Sequence, residues 1–160
     1  MIWSILTFGR HNGKTLPQVV FADPDYFFWA YRAGVLERYG MQDEAEAVYS
    51  RAVSIRIPQK GPQKLVAEYA VHPSVGKFVN MEIVPESRPP HQGSTHTTRL
   101  PVFDLSFPWR IASYDKAGGK ALVDALKVYL FGDPHYRLTK EHCERFFEND
   151  ANFVLPAASR

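Results

Sequence analysis

Six cationic side chains sit where they could hold a phosphate. Arg10, His11 and Lys14 flank the glycines Gly9 and Gly13, and Arg32, Arg51 and Arg56 follow further along. A glycine turn that offers cations and free amide groups beside a helix start can hold an oxyanion. It is not a nucleoside-triphosphate loop, because only three residues separate Gly9 from Gly13 where that loop needs four.

Carboxylates supply a second kind of chemistry. Glu68, Glu82 and Asp104 fall on expected strands and would make a magnesium-dependent nuclease site if they converged, with Lys77 or Lys120 as polarising cation. Their positions equally fit the wet face of a half-solvated sheet, and that is the expectation. His72, His91, His96, His135 and His142 are scattered along the chain, and a zinc site needs several ligands that converge. No metal or other cofactor is expected. A strained Gly-x-Ser-x-Gly nucleophile turn is missing, and Cys143 falls on the apolar face of a helix, as a core thiol does. No catalytic residue is assigned.

These residues are carried by a chain of ordinary composition. Its 160 residues, 45% hydrophobic and 22% charged, suit one medium domain or two small ones with a real core. A net charge of +2 is too small to demand a polyanionic partner, although a count cannot reveal a charged face. The single cysteine excludes an intrachain disulfide and a cysteine-based zinc cluster, which fits a reducing cytoplasm. Residues 1–8 are apolar but lack a basic lead, and Arg10 arrives before a signal-peptide core could form. No apolar run approaches the roughly 20 residues that span a bilayer, so no membrane partner is expected.

The pattern predicts an α+β fold: a small strand-plus-helices N-terminal module, then an antiparallel three-stranded sheet packed with two or three helices. Residues 2–8 read as a strand, ended by the turn at Gly9–Gly13. Thr15 caps a short helix with Pro17 in its first turn, and Asp23-Pro24 starts another whose apolar stripe is Phe27, Phe28, Tyr31 and Val35. Asp43 and Glu46 match a capping box for a third helix. The polar, proline-containing stretch 58–64 is a linker, dividing the chain into a module over 1–57 and an α+β domain over 64–160. Strands over 65–71 and 77–84 form a hairpin, 85–98 is a long excursion, and 100–107 is a third strand. Lys116–Phe131 is the clearest helix, with Gly132 after its end. Thr139 caps the last helix, and Leu138 packs on Cys143 as a staple.

One stretch carries a family resemblance. Phe8-Gly9-Arg10-His11-Asn12-Gly13-Lys14-Thr15-Leu16, followed by Asp23-Pro24-Asp25-Tyr26-Phe27-Phe28-Trp29, resembles the exodeoxyribonuclease X-like C-terminal domain. The likeness covers about residues 5–35, and Arg10 stands where that family carries lysine. The family's module is an accessory appended to nucleases and found in phage and mobile-element proteins. Its catalytic core is a separate domain whose acidic motifs are not visible here. The resemblance therefore implies a setting in DNA metabolism without the exonuclease activity.

Within that motif Gly9 and Gly13 let the backbone turn, Asp23 and Pro24 start a helix, and Tyr26 and Trp29, three apart on one helical face, are expected to fill the core. That leaves Arg10, His11, Lys14, Arg32, Arg51 and Arg56 as the expected nucleic-acid contacts. The expected function is a non-catalytic, cytoplasmic accessory protein of phage or mobile-element type that associates with DNA or a DNA-processing complex. An inhibitor or adaptor that binds a host enzyme in DNA metabolism or defence is the first alternative, suited by the long 85–98 loop. A metal-dependent nuclease is the second.

Overall fold

In the computed structural model, which describes residues 2–91, 93 and 95–156, the apolar segment 2–8 joins no sheet. The expected strand there is absent. Its buried residues, Trp3 and Leu6, are three apart rather than alternating, and Ile2 and Ile5 face solvent. Leu6 pairs its backbone with the turn: its N–H donates to the Lys14 carbonyl (2.9 Å) and its carbonyl accepts from Gly13 N–H (2.8 Å), while Ser4 N–H donates to the Glu44 carboxylate (2.7 Å). The two Leu6 bonds close the glycine turn.

Four helices follow. Helix α1 (Leu16–Ala22) starts at Thr15, whose N–H donates to the Gln18 side chain at 3.0 Å. Helix α2 (Pro24–Arg32) starts at Asp23, whose carboxylate accepts from Tyr26 N–H, and it buries Phe27, Phe28 and Ala30. Gly34, at φ 74°, allows the short helix α3 (Val35–Arg38). Helix α4 (Gln42–Ala52) begins after Met41, so Asp43 lies inside its first turn and caps nothing; Gln42 instead donates to Glu46. Ala45, Val48 and Ala52 form its buried face.

The sheet is antiparallel throughout, in the order β3-β2-β4, with β2 (Leu65–His72) central, β3 (Lys77–Pro85) on one edge and β4 (His96–Leu100) on the other. The hairpin matches expectation. The third strand does not: it begins at His96, inside the expected excursion, and ends before Pro101. Residues after Pro101 then leave the sheet. Strand β5 (Val102–Phe103) pairs with β1 (Ile55–Arg56) in a separate two-stranded ribbon, and Phe107–Ile111 forms the helix α5. Tyr69 fixes this corner. Its ring stacks on Phe107 (4.4 Å), and its hydroxyl donates to Val102 O and accepts from Asp104 N–H, both at 2.9 Å. Burial pushes that phenol well above its ordinary value.

Helix α6 (Lys116–Phe131) is as expected, capped by Asp115 and ended by Gly132 at φ 74°. Helix α7 (Lys140–Glu148) starts at Thr139, whose hydroxyl accepts from His142 N–H, and a 3-10 turn follows at Asp150–Asn152. The Cys143 thiol faces the Leu138 carbonyl at 3.7 Å.

One hydrophobic cluster runs across the expected linker boundary, from Leu16, Phe21 and Phe28 through Tyr69 and Phe103 to Leu122 and Phe147. Phe21 meets Phe146 and Phe147 edge-on at 5.5 Å each, and Thr15 bonds to Glu144. No described helix is long and apolar enough to cross a membrane.

Candidate functional site

The glycine turn and the start of α2 meet at one carboxylate. Asp23, buried, accepts from Tyr26 N–H through Oδ1, while its Oδ2 lies 2.9 Å from His11 Nε2 and 3.1 Å from Arg10 Nη2. His11 is itself buried, and its other ring nitrogen faces Lys14 Nζ at 3.4 Å. Gly9, at φ 69°, packs so tightly that a Cβ there would stand 2.7 Å from the Tyr26 hydroxyl. Three of the expected phosphate contacts thus come together, but His11 and Arg10 are already engaged in holding the turn onto α2.

The i, i+3 spacing of Tyr26 and Trp29 does put them side by side, ring centroids 5.7 Å apart, with Tyr26 partly buried against the core and Trp29 outside it. Trp29 is 42% exposed. The expectation that this pair fills the core is corrected for Trp29: the fully buried face of α2 is Phe27 and Phe28, Tyr26 packs at its edge, and Trp29 is exposed. It lines a cleft of about 690 Å³ together with Arg10, Asp25, Tyr26, Ser113, Tyr114 and Lys116. Tyr114, on the loop before α6, is 82% exposed. The Arg10 guanidinium lies 5.0 Å from the Tyr26 ring centre, so a cation covers one aromatic face at the cleft.

Asp25 is the unusual member. It is buried, and its Oδ2 accepts from Asp115 N–H at 2.5 Å, tying α2 to the start of α6. Its Oδ1 has no partner, and neither has Oδ2 of Asp115. Burial raises the Asp25 carboxyl above the usual carboxylate range, reinforced by the nearby charges of Asp115 and Asp23 and opposed by the Asp115 N–H and by Arg10. A second depression of about 440 Å³ adjoins the cleft and shares Arg10, Asp25 and Lys116 with it. Lys14, Lys116, Lys120 and Lys127 line it against Asp23, Asp25 and Asp124. Lys120 and Lys127 both pair with Asp124, at 2.9 and 3.7 Å. An aromatic slot therefore opens onto a lysine-lined groove.

The other expected contacts lie elsewhere. Arg32 stands 6.0 Å from the Trp109 ring centre. Arg51 pairs with Asp150 (3.0 Å), and Arg56 donates to the carbonyls of Ala151 and Phe153, so both hold the segment after α7. The three candidate nuclease carboxylates do not converge. Glu68 binds Arg99 at 2.8 Å and Glu82 sits opposite it on β3, whereas Asp104 binds Ser106 and Arg110 beside Tyr69, whose side chain leaves β2 on the other face. Among the described residues, no group of three or more His, Cys, Asp or Glu side chains is placed to hold a metal ion. Cys143 is buried, and burial pushes its thiol up to about 12.

Sequence reasoning missed Tyr114, Lys116, Asp25 and Asp115 as site residues. Asp25 sits inside the Asp-Pro-x-Tyr-x-x-Trp stretch, and its signal was a carboxylate in a helix's first turn, where such residues are ordinary. Tyr114 had no signal beyond its type. Comparison with known proteins adds nothing to this geometry: no family model, no curated protein and no solved structure matches the chain.

Proposed function

We propose that the protein is a non-catalytic accessory of phage or mobile-element type, acting in the cytoplasm, that holds single-stranded DNA in the paired depressions between α2 and α6. The observation that carries this reading is the sharing of one cleft by two exposed aromatics, Trp29 and Tyr114, with two cations, Arg10 and Lys116. Nonspecific single-strand binders combine these two parts: aromatic faces on which bases stack, worth about 1–3 kcal/mol per base, and cations that follow the phosphates. Here bases would enter the aromatic slot, and the backbone would run along the groove lined by Lys14, Lys116, Lys120 and Lys127. The resemblance of residues 5–35 to an accessory module of nucleases supports the same setting.

Fluorescence anisotropy of a labelled deoxythymidine oligonucleotide tests it. Binding should weaken steeply as salt rises, because phosphate contacts release counterions, and Trp29→Ala should weaken it roughly tenfold. Binding that is absent at low salt, or indifferent to Trp29→Ala, would sink the reading.

The adaptor reading rests on a different region. Ile2 and Ile5 stand exposed on the N-terminal arm, and exposed Tyr39 stacks on Phe8 at 3.8 Å. Apolar groups held out of the core suit a protein partner. A partner retained from lysate after nuclease treatment, and lost with Ile2→Ser and Ile5→Ser together, would favour it.

A further inference from the structure

We propose that a third depression, where α7, β1 and the 3-10 turn meet, is a binding site for a phosphate monoester. It encloses about 400 Å³, and its polar lining is Arg56, Tyr136, His142, Arg145, Asn149 and Asn152. Among the described residues no carboxylate lines it, unlike the lysine groove with its three aspartates. It shares no lining residue with the aromatic cleft, so it stands independently of the single-strand reading.

Two of the donors, Arg56 and His142, are oriented by bonds they already make. Arg56 commits Nε to Ala151 O (3.2 Å) and Nη2 to Phe153 O (2.9 Å), which fixes the plane of its guanidinium and leaves Nη1 uncommitted among the described residues. His142 Nδ1 lies 2.7 Å from the Arg137 carbonyl, a partner that can only accept. That bond places a proton on Nδ1 and leaves Nε2 to take the proton of a monoanionic ester or, when protonated, to donate to a dianion. Arg145 is exposed, lines the depression, and makes no hydrogen bond or ion pair among the described residues. Its planar fork matches phosphate oxygens two at a time. Two guanidinium groups and an imidazole, Arg145 and His142 from α7 and Arg56 from β1, suit an anion with three terminal oxygens better than a carboxylate with two. The stacked rings of Phe131 and Tyr136, 4.2 Å apart, also line the depression and offer an apolar surface for whatever the ester carries.

Isothermal titration calorimetry on the full chain tests this, with inorganic phosphate, adenosine 5′-monophosphate, adenosine and acetate at matched ionic strength. Phosphate and the nucleotide should give saturable heats while adenosine and acetate give none. Tighter binding of the nucleotide points to a nucleotide or a strand's terminal phosphate, and equal binding points to free phosphate. Arg145→Ala should weaken both roughly tenfold, Arg145→Lys should recover part of the loss, and Trp29→Ala should change neither. Unaltered circular dichroism will show that the Arg145 variants fold, since that side chain holds no other element. The proposal is overturned if neither phosphate compound gives a saturable heat. It is equally overturned if acetate binds as well, or if Arg145→Ala binds like the parent.

Discussion

Two aspartates at the start of α2, Asp23 and Asp25, are two residues apart and both buried, yet their surroundings treat them in opposite ways. Asp23 is saturated: it caps the helix, accepts from His11 and pairs with Arg10. Asp25 has one backbone partner and an oxygen with none. The first arrangement stabilises the turn-and-helix unit. The second leaves a raised carboxyl at the back of an aromatic cleft, a place where the fold accepts a penalty that an asparagine would avoid. Structure and site thus divide within a single turn of helix, and charge alone does not say which side a residue is on.

The sharpest way to break this contrast is to remove the saturated carboxylate. Asp23→Ala takes away the α2 cap and strands His11 and Arg10, and it should lower stability by about 3 kcal/mol in urea denaturation. A loss under about 1 kcal/mol would mean that the cluster is a surface ornament. Next comes the cleft itself. Tyr114→Ala should reduce oligonucleotide affinity by about 1–3 kcal/mol and leave the melting temperature unchanged, since its side chain lies in solvent. A drop in melting temperature equal to the drop in affinity would make Tyr114 a packing residue.

Asp25→Asn should act in the direction opposite to Asp23→Ala. The folded carboxyl keeps its proton to higher pH than the unfolded one, so ionisation destabilises the fold as pH rises from about 3.9, the unfolded value. Asparagine can still accept from Asp115 N–H and carries no charge to desolvate. The variant should therefore be more stable than the parent at pH 7, by about 1 kcal/mol, with the advantage fading below about pH 3.9. Equal stability at both pH values would remove Asp25 from the contrast. The smallest effect is expected at Asp150→Ala. Its partner Arg51 is only part-buried and Asp150 itself faces solvent, so the loss should stay under about 0.5 kcal/mol in the same denaturation.

Legibility in the sequence followed how local each determinant is. Helix α6 was readable because its period lies within its own span and Gly132 directly follows it, and the β2–β3 hairpin because its partners adjoin. Residues 2–8 carry strand-like side chains but no strand to pair with, and pairing is not a local property. The third strand was misplaced for the same reason: His96–Leu100 is polar, and what makes it a strand is its ladder with β2 and the Arg99–Glu68 ion pair. At the site, the spacing of Tyr26 and Trp29 announced a shared face, and only the packing of Phe27 and Phe28 decides that Trp29 looks outward from it. Tyr114 and Lys116 reach the cleft through the α2–α6 contact sealed by Asp25 and Asp115, which no window on the sequence contains.

The bonds from Arg51 and Arg56 to the stretch after α7 also set a schedule for synthesis. Ile55 pairs with Phe103 on one side and bridges to Phe153 on the other, and Ser54 accepts from Val154 N–H. During translation β1 must therefore wait for almost one hundred further residues before its second neighbour emerges. Until residue 153 clears the ribosome, Ile55 and Phe147 lack a common cover, and closure of the ribbon is a late event however early α1 and α2 form. A nascent chain stalled short of that point would leave these apolar groups open to whatever chaperone binds exposed hydrophobic surface.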